Sequence, residues 1–193
     1  MPKIIGLTGG IGSGKTTLIE FIKMQGYSVY ISDNEAKKIL NSKEIVNKIQ
    51  FLFPEHVLIV NNLLDKKKLA EVVFNNPTEL KKLNDLIHPL VQNDFEQWVE
   101  KNKDEKIVFK ESAILFESGA YKHCDYVILI TAPLDVRIQR VMERDVITKE
   151  QVLERIKNQW SDQEKAKFSD YIVENVDLPS AKQEILNVIN KIS

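Results

Sequence analysis

The chain has 193 residues, of which 43% are apolar and 28% are charged, and its formal net charge is −1. This length suits one α/β domain, or one domain with a sizeable insertion. The near-zero charge excludes a protein that binds nucleic acid through overall basicity. Apolar runs fall short of the ~20 residues that span a bilayer, and the N-terminus lacks a signal-peptide layout. One cysteine, Cys124, excludes an internal disulfide. We therefore expect a cytoplasmic protein with neither a nucleic-acid nor a membrane partner.

The first part of the chain alternates strand and helix patterns. In chain order these patterns predict a buried strand over 3–7, a helix over 15–25, a strand over 27–31 and a helix over 34–40. Gly26 is a stop signal for the first helix. Ser32 or Asp33 can cap the second one.

Residues 41–105 differ in composition from the rest of the chain, because they are rich in Lys, Asn, Glu and Leu and helical periodicity dominates. Pro77 and Pro89 fit the starts of helices or a bend between them. We interpret this segment as a mostly helical insertion between the second and third strands.

Strand patterns return after the insertion. They predict strands over 106–109, 126–130 and 170–173, and helices over 133–144, from Thr148 onward and over 179–192. Thr148 and Gln151 have the spacing of a capping box. Strands that alternate with helices predict a five-stranded parallel sheet covered on both faces, which is a three-layer α/β/α fold.

The segment from Gly9 to Thr16 matches the phosphate-loop pattern Gly-x4-Gly-Lys-[Ser/Thr] between a predicted strand and a predicted helix. Glycines let the backbone approach phosphate oxygens, and the helix directs its positive end at the same anion. We expect Lys15 to neutralise the β- and γ-phosphates and the Thr16 hydroxyl to bind Mg²⁺. The pattern predicts ATP binding by Gly10, Ile11, Gly12, Ser13, Gly14, Lys15, Thr16 and Thr17.

The loop alone does not define a reaction, because GTPases, motor ATPases and small-molecule kinases share it. A short chain without an Asn-Lys-x-Asp guanine signature favours a kinase. Lysine is the common cation here, whereas every arginine lies between positions 137 and 155. Arg137, Arg140 and Arg144 can share one helix face, and guanidinium binds phosphate bidentately. This spacing predicts a lid that closes over the triphosphate.

Three acidic residues are candidates for the chemistry. Asp33 follows the second strand and can orient an acceptor hydroxyl, accept its proton, or simply cap a helix. Glu111 or Glu117, after the third strand, can lie near Mg²⁺ or be a solvated carboxylate. His88, a lone histidine before Pro89, is more often structural than chemical.

An ordered set of motifs resembles the dephospho-CoA kinase family. The matching segments are Leu7-Thr8-Gly9-Gly10-Ile11-Gly12-Ser13-Gly14-Lys15-Thr16-Thr17, Ser32-Asp33-x-x-Ala36, Leu83-Asn84-x-x-x-His88-Pro89, Leu115-Phe116-Glu117, Arg140-x-x-x-Arg144-Asp145, Arg155-x-x-x-Gln159 and Ser169-Asp170-Tyr171-x-x-x-Asn175. The chain departs from the family at Ile31, where the family often has Asp, at Lys37, where it has Arg, and at Ala113-Ile114, where it has Pro-Leu.

The resemblance implies that ATP phosphorylates the ribose 3′-hydroxyl of dephospho-CoA, the last step of coenzyme A biosynthesis. It implies one P-loop kinase domain over 1–193, with a nucleotide-binding core over 1–34, 106–136 and 169–193, a CoA-binding insertion over 35–105 and a lid over 137–168. Asp33, Lys15 and Arg140 would be catalytic, and Arg144 and Asn175 would contact nucleotide. The implied substrate contacts are Thr8, Asp33, Lys37, His88, Leu115 and Glu117.

Two alternatives remain open at this point. One is a kinase of another small acceptor, such as a nucleoside monophosphate, because the insertion and the late lid suit it too. The other is a non-enzymatic, nucleotide-dependent binding module. The sequence does not indicate an oligomeric state, and it is compatible with a monomer.

Overall fold

The computed structural model describes residues 1–56, 58–60, 63–74 and 76–193. They divide into two compact units, one of residues 1–31 and 98–193 and the other of residues 32–97. The sequence had put the insertion at 35–105. These bounds stay a prediction, and one helix, Pro77–Lys101, contains residues of both units. A role of the insertion in binding CoA stays a prediction.

The elements alternate as the sequence predicted, with the insertion after the second strand. In chain order they are β1 (Lys3–Thr8), α1 (Lys15–Met24), β2 (Ser28–Ile31), α2 (Ser32–Leu40), α3 (Lys43–Leu52), β3 (Ile59–Val60), β4 (Leu63–Leu64), α4 (Lys66–Phe74), α5 (Pro77–Lys101), β5 (Ile107–Glu111), a 3₁₀ turn (Ala120–His123), β6 (Tyr126–Thr131), α6 (Leu134–Asp145), α7 (Lys149–Lys157), α8 (Asp162–Ala166), β7 (Tyr171–Glu174) and α9 (Leu178–Ile192).

The predicted five-stranded parallel sheet is confirmed, with the order β2-β5-β1-β6-β7. The first strand is therefore central, and the chain moves to opposite sides of it for β5 and β6. In the register, Leu7 at the end of β1 lies between Glu111 and Ile128. Such a reversal of strand order opens a crevice at the carboxyl ends of the strands, where open α/β sheets bind ligands.

Helices cover both faces of this sheet. On one face, α1 and α9 pack their apolar sides on alternate residues of the central strands, as Leu18 and Ile185 illustrate. On the other face, α8 contacts β6, and Trp98 near the end of α5 packs edge-on against Tyr30 of β2. β5 is buried along its whole length, as a central strand covered on both faces must be.

The second unit has its own apolar core, built by α2, α3, α4 and the first part of α5. Ile49, Phe53 and Leu58 are fully shielded from solvent within it. The sequence did not predict the antiparallel pair β3–β4, because two-residue strands are too short to show an alternating pattern. Pro77 begins α5 as predicted, whereas Pro89 lies inside this helix and not at a helix start or between two helices.

The segment between β6 and β7 contains α6, α7 and α8. Side chains of α6 and α7 share a small apolar cluster with Ile11 of the phosphate loop. The predicted capping box is present, with reciprocal hydrogen bonds between Thr148 and Gln151 at the start of α7. α6 ends at Val146, an exposed β-branched residue in the left-handed conformation (φ 54°, ψ 50°). None of the helices in the described residues is long and apolar enough to cross a membrane.

Candidate active site

The phosphate loop connects β1 to α1, as its motif requires. Gly12 and Gly14 have φ angles of +82° and +84°, which L-residues with a side chain adopt only under strain. Gly14 is also the N-cap residue of α1. The first backbone N–H groups of a helix have no intrahelical partner and carry the positive end of its dipole. The loop and the first turn of α1 therefore have the geometry of an anion-binding site, and the binding of ATP phosphates there stays a prediction.

Lys15 begins α1, and its ammonium forms an ion pair with Glu111. Glu111 is the last residue of β5, and its side chain is 4% exposed, against 14% for that of Lys15. Of the two carboxylates considered from sequence, Glu111 is thus the one in contact with the loop lysine. An acid at the end of the strand next to β1 is well placed to orient this ammonium beside a bound phosphate chain.

Glu117 has other partners, which come from the segment around α8. One of its oxygens accepts a hydrogen bond from the backbone N–H of Trp160 (2.8 Å) and pairs with Lys165 (3.2 Å). Lys165 is fully buried and donates a second bond to the Ala113 carbonyl (3.0 Å). Burial lowers the pKa of Lys165, and the nearby Glu117 charge opposes this shift. Glu117 therefore links α8 to the segment that follows β5, and its predicted contact with substrate stays untested.

The three arginines of α6 differ in their surroundings. Arg137 is 6% exposed and binds the phosphate loop itself, donating from Nε to the Ile11 carbonyl (2.9 Å). Arg140 donates to the carbonyls of Asn175 and Val176, at 2.9 and 3.4 Å. Arg144 is exposed and forms two hydrogen bonds with the neighbouring Asp145 carboxylate. The hydrogen bond from Arg144 holds the pKa of Asp145 below its usual range.

Asn175, just past β7, is buried and in direct contact with the loop. Its side-chain amide donates to the Ser13 carbonyl (2.9 Å). Thr8 and Ser13 are buried as well, and their hydroxyl oxygens have no hydrogen-bond partner among the described residues. The structure thus brings Thr8, Ser13, Lys15 and Asn175 together at the carboxyl end of the sheet. Leu115, another predicted substrate contact, is instead buried in an apolar cluster with Phe116.

The remaining predicted contacts lie in the second unit. Asp33 and Lys37 are exposed on α2, where their spacing of four places them on one face of the helix. Asp33 is in the first turn of α2 and not at its cap, because this helix already begins at Ser32. His88 is half-buried on α5, and burial lowers its pKa.

Mg²⁺ is compatible with the residues at the loop. Thr16 is the second residue of α1 and its side chain is exposed, so its hydroxyl is available as a ligand. The described residues contain no cluster of three or more His, Cys, Asp or Glu that could hold a metal alone. A Mg²⁺ ion that is bound with nucleotide phosphates needs only one or two protein ligands.

Comparison with known proteins identifies the family. A family model described as dephospho-CoA kinase matches residues 3–179. The chain belongs to the dephospho-CoA kinase family. A dephospho-CoA kinase of Fusobacterium nucleatum is 41% identical over 172 residues, which cover 89% of each chain.

Two solved structures are similar to this chain over nearly its whole length. A dephospho-CoA kinase of Campylobacter jejuni is 32% identical, with a TM-score of 0.75, and the match covers 100% of this chain and 98% of that one. A Thermus thermophilus protein is 33% identical, with a TM-score of 0.90 over 98% and 97% of the two chains.

In this dephospho-CoA kinase family member, the structure adds contacts that the sequence did not reveal. Lys165 was missed because it is one of many lysines, and no motif distinguishes a buried one. Spacing grouped Arg137 with Arg140 and Arg144 on one helix face. Arg137 is instead buried and binds the loop backbone. Among these residues, Gln159 was marked by a sequence motif, although the motif did not indicate its partner. Its side-chain oxygen accepts a hydrogen bond from the Ile11 N–H (3.0 Å).

Proposed function

We propose that this protein transfers the γ-phosphoryl group of ATP to the ribose 3′-hydroxyl of dephospho-CoA, which gives CoA and ADP. The observation that carries the proposal is the family match over residues 3–179, within which the phosphate loop has the geometry for binding a phosphate chain. In the reaction, the 3′-oxygen forms a bond to the γ-phosphorus, and the bond from that phosphorus to the β,γ-bridging oxygen breaks.

The phosphate chain of ATP would lie on the loop and on the first turn of α1. The Lys15 ammonium, oriented by Glu111, would neutralise the β- and γ-phosphates. The Thr16 hydroxyl would be the protein ligand of Mg²⁺, which when bound neutralises negative charge on the phosphate oxygens. Such a site acts mainly through positioning and electrostatic stabilisation, because phosphoryl transfer needs little covalent chemistry from the protein.

Asp33 would orient the 3′-hydroxyl and take its proton as the new bond forms. This role is supported by the family motif around Asp33 and by its position in the chain, two residues after β2. The exposed carboxylate is free to accept a hydroxyl proton. Lys37 and His88 would contact the acceptor, so the second unit would contribute to binding dephospho-CoA.

Arg140 and Arg144 would stabilise the transferring group from the lid, residues 137–168. Arg140 now binds two backbone carbonyls and Arg144 binds Asp145. To reach a phosphate, each guanidinium would exchange these partners for phosphate oxygens. Closure would also exclude water, which otherwise competes with the acceptor hydroxyl.

An acceptor screen tests the reaction. The purified chain is incubated with ATP, Mg²⁺ and either dephospho-CoA, AMP, CMP or no acceptor, and ADP release is followed. We expect dephospho-CoA alone to stimulate turnover. Stimulation by AMP or CMP but not by dephospho-CoA would favour a nucleoside monophosphate kinase, and ATP binding without any stimulation would favour a binding module.

Asp33→Asn tests the proposed base. General-base contributions are typically 10²–10⁴-fold, so we expect kcat to fall by about 10²-fold or more. The affinity for ATP should stay near normal, because the phosphate loop is unchanged. Asp104→Asn removes an exposed carboxylate elsewhere in the chain and is the matched control. Wild-type turnover in Asp33→Asn would refute the assignment.

A further inference from the structure

Arg137 differs from Arg140 and Arg144 because it is buried and binds the phosphate loop directly. Its Nε donates to the Ile11 carbonyl (2.9 Å), and its Nη1 forms an ion pair with Asp162 at the start of α8 (2.7 Å). Its side chain is 8% exposed. Arg137 therefore connects the phosphate loop to α8 and does not face solvent as a phosphate ligand would.

Two glycines of the loop, Gly10 and Gly12, are packed against this same residue. A Cβ atom on Gly10 would overlap the Arg137 guanidinium, and one on Gly12 would overlap the Arg137 backbone. The backbone N–H of Ile11 donates to the Gln159 side chain (3.0 Å). Both backbone polar groups of Ile11 are thus bound by side chains from the segment between β6 and β7.

The bond to the Ile11 carbonyl also fixes the next peptide. In a trans peptide the C=O and N–H groups point in opposite directions. Because the Ile11 carbonyl points at Arg137, the N–H of Gly12, in the same peptide, points away from Arg137. Convergent backbone N–H groups are what bind phosphate oxygens in loops of this kind.

We propose that Arg137 is a positioning residue for phosphate binding, which acts by holding the Ile11–Gly12 peptide with its N–H directed at the bound phosphate chain. This inference rests on the proposed binding of nucleotide at the loop, but not on the identity of the acceptor. Arginine suits the role because its planar fork binds a carbonyl and a carboxylate at once in a fixed geometry. A lysine ammonium has no such fork.

The test is equilibrium titration of the full chain with ADP and with inorganic tripolyphosphate. The second ligand has no nucleoside, so a loss common to both ligands localises the defect to phosphate contacts. The variants are Arg137→Met and Arg137→Lys, and the control is Lys157→Met, which removes a cation from an exposed ion pair on α7. Thermal unfolding of each variant is recorded separately, so that the titrations are done below its transition.

We expect Arg137→Met to raise the Kd of both ligands at least tenfold, a change of about 1.4 kcal/mol. Arg137→Lys should give a smaller rise in both, and Lys157→Met none. A structural role alone would lower the unfolding temperature of the Arg137 variants but leave both Kd values of the folded protein unchanged, and this result would overturn the proposal.

Nucleotide binding at the loop and the role of Arg137 are tested separately by these titrations. If wild-type protein does not bind ADP, nucleotide binding itself is wrong. If it binds ADP and Arg137→Met binds both ligands equally well, only the role of Arg137 is wrong. Should Arg137→Met not fold, Arg137→Lys decides, since wild-type affinities in that variant would contradict the need for the fork.

Discussion

Replacing Glu117 with glutamine should leave a fully buried ammonium without its carboxylate partner. Glutamine keeps the shape of the side chain and can still accept the hydrogen bond from Trp160. It removes the negative charge that lies 3.2 Å from Lys165 and replaces the buried Oε2, which has no hydrogen-bond partner among the described residues, with an NH2 group. The bond from Lys165 to the Ala113 carbonyl is retained in the variant.

The expected loss of stability follows from these surroundings. Removing one partner of a buried ion pair typically costs about 3–5 kcal/mol. Two features reduce this cost, because the Ala113 carbonyl still solvates the ammonium and the Glu117 side chain is 17% exposed. We expect a decrease in the free energy of unfolding of about 2–3 kcal/mol. For a chain of this size, that corresponds to a fall in Tm of roughly 4–12 °C.

The loss should depend on pH with a definite sign. Burial lowers the pKa of Lys165 below the ordinary lysine value of 10.5, Glu117 and Asp162 oppose this shift, and Lys15 adds to it. Without Glu117 the folded-state pKa falls further. The unfolded chain then binds the proton more tightly than the folded one, so stability rises with pH between the folded-state pKa and 10.5. The deficit of Glu117→Gln should therefore shrink as pH increases from 7 toward 10.

Denaturant unfolding followed by tryptophan fluorescence measures this deficit, because Trp160 stacks on Phe116 next to the pair (ring centroids 6.2 Å apart). Glu154→Gln is the matched control, since it removes the carboxylate of an exposed pair with Lys157, which is worth about 0–1 kcal/mol. A Glu117→Gln deficit no larger than that of Glu154→Gln, or one that does not change with pH, would refute the reasoning.

Two further predictions concern residues away from the phosphate loop. Burial raises the pKa of the Cys124 thiol to about 12, so a thiol reagent at pH 8 should label the native protein far more slowly than the unfolded chain; comparable rates would contradict this. Because the unfolded thiol ionises at a lower pH, Cys124 should also lower stability as pH rises from about 9 to 12, a loss absent from Cys124→Ala. Thr148→Ala should lower the free energy of unfolding by about 1 kcal/mol through loss of the capping box. Thr148→Ser keeps the capping hydroxyl and should have nearly the stability of the wild type. Equal stabilities of the two variants would argue against the cap.

Much of the fold followed from local patterns in the sequence. Strand and helix periodicity gave the five-stranded sheet and its helices, and the loop motif lay between β1 and α1 as required. The strand order is non-local, because it depends on which strands pair across the sheet. Even so, alternation of strands and helices was enough to predict parallel pairing. The short pair β3–β4 was missed, since two residues cannot show a period.

Less of the candidate site than of the fold could be predicted from the sequence. The motif indicated that Lys15 lies at the loop, but its pairing with Glu111 needed the register between β1 and β5. Spacing grouped Arg137 with Arg140 and Arg144, yet helical spacing gives only a relative direction and not the burial of each side chain. A contact such as Arg137 with Ile11 joins residues 126 positions apart, and no local pattern encodes it.

The residue that follows α6, Val146, lowers the stability of the folded protein. Val146 has a positive φ of 54° and is 90% exposed, so its branched side chain has little packing to offset the strain. A left-handed conformation costs an L-residue roughly 1–2 kcal/mol relative to glycine, and helices commonly end with glycine or asparagine at such a position. Backbone strain at Val146 therefore lowers the stability of the α6–α7 junction, and this residue has no part in the proposed chemistry. Replacing Val146 with glycine or asparagine would relieve this strain and raise the thermostability of the protein.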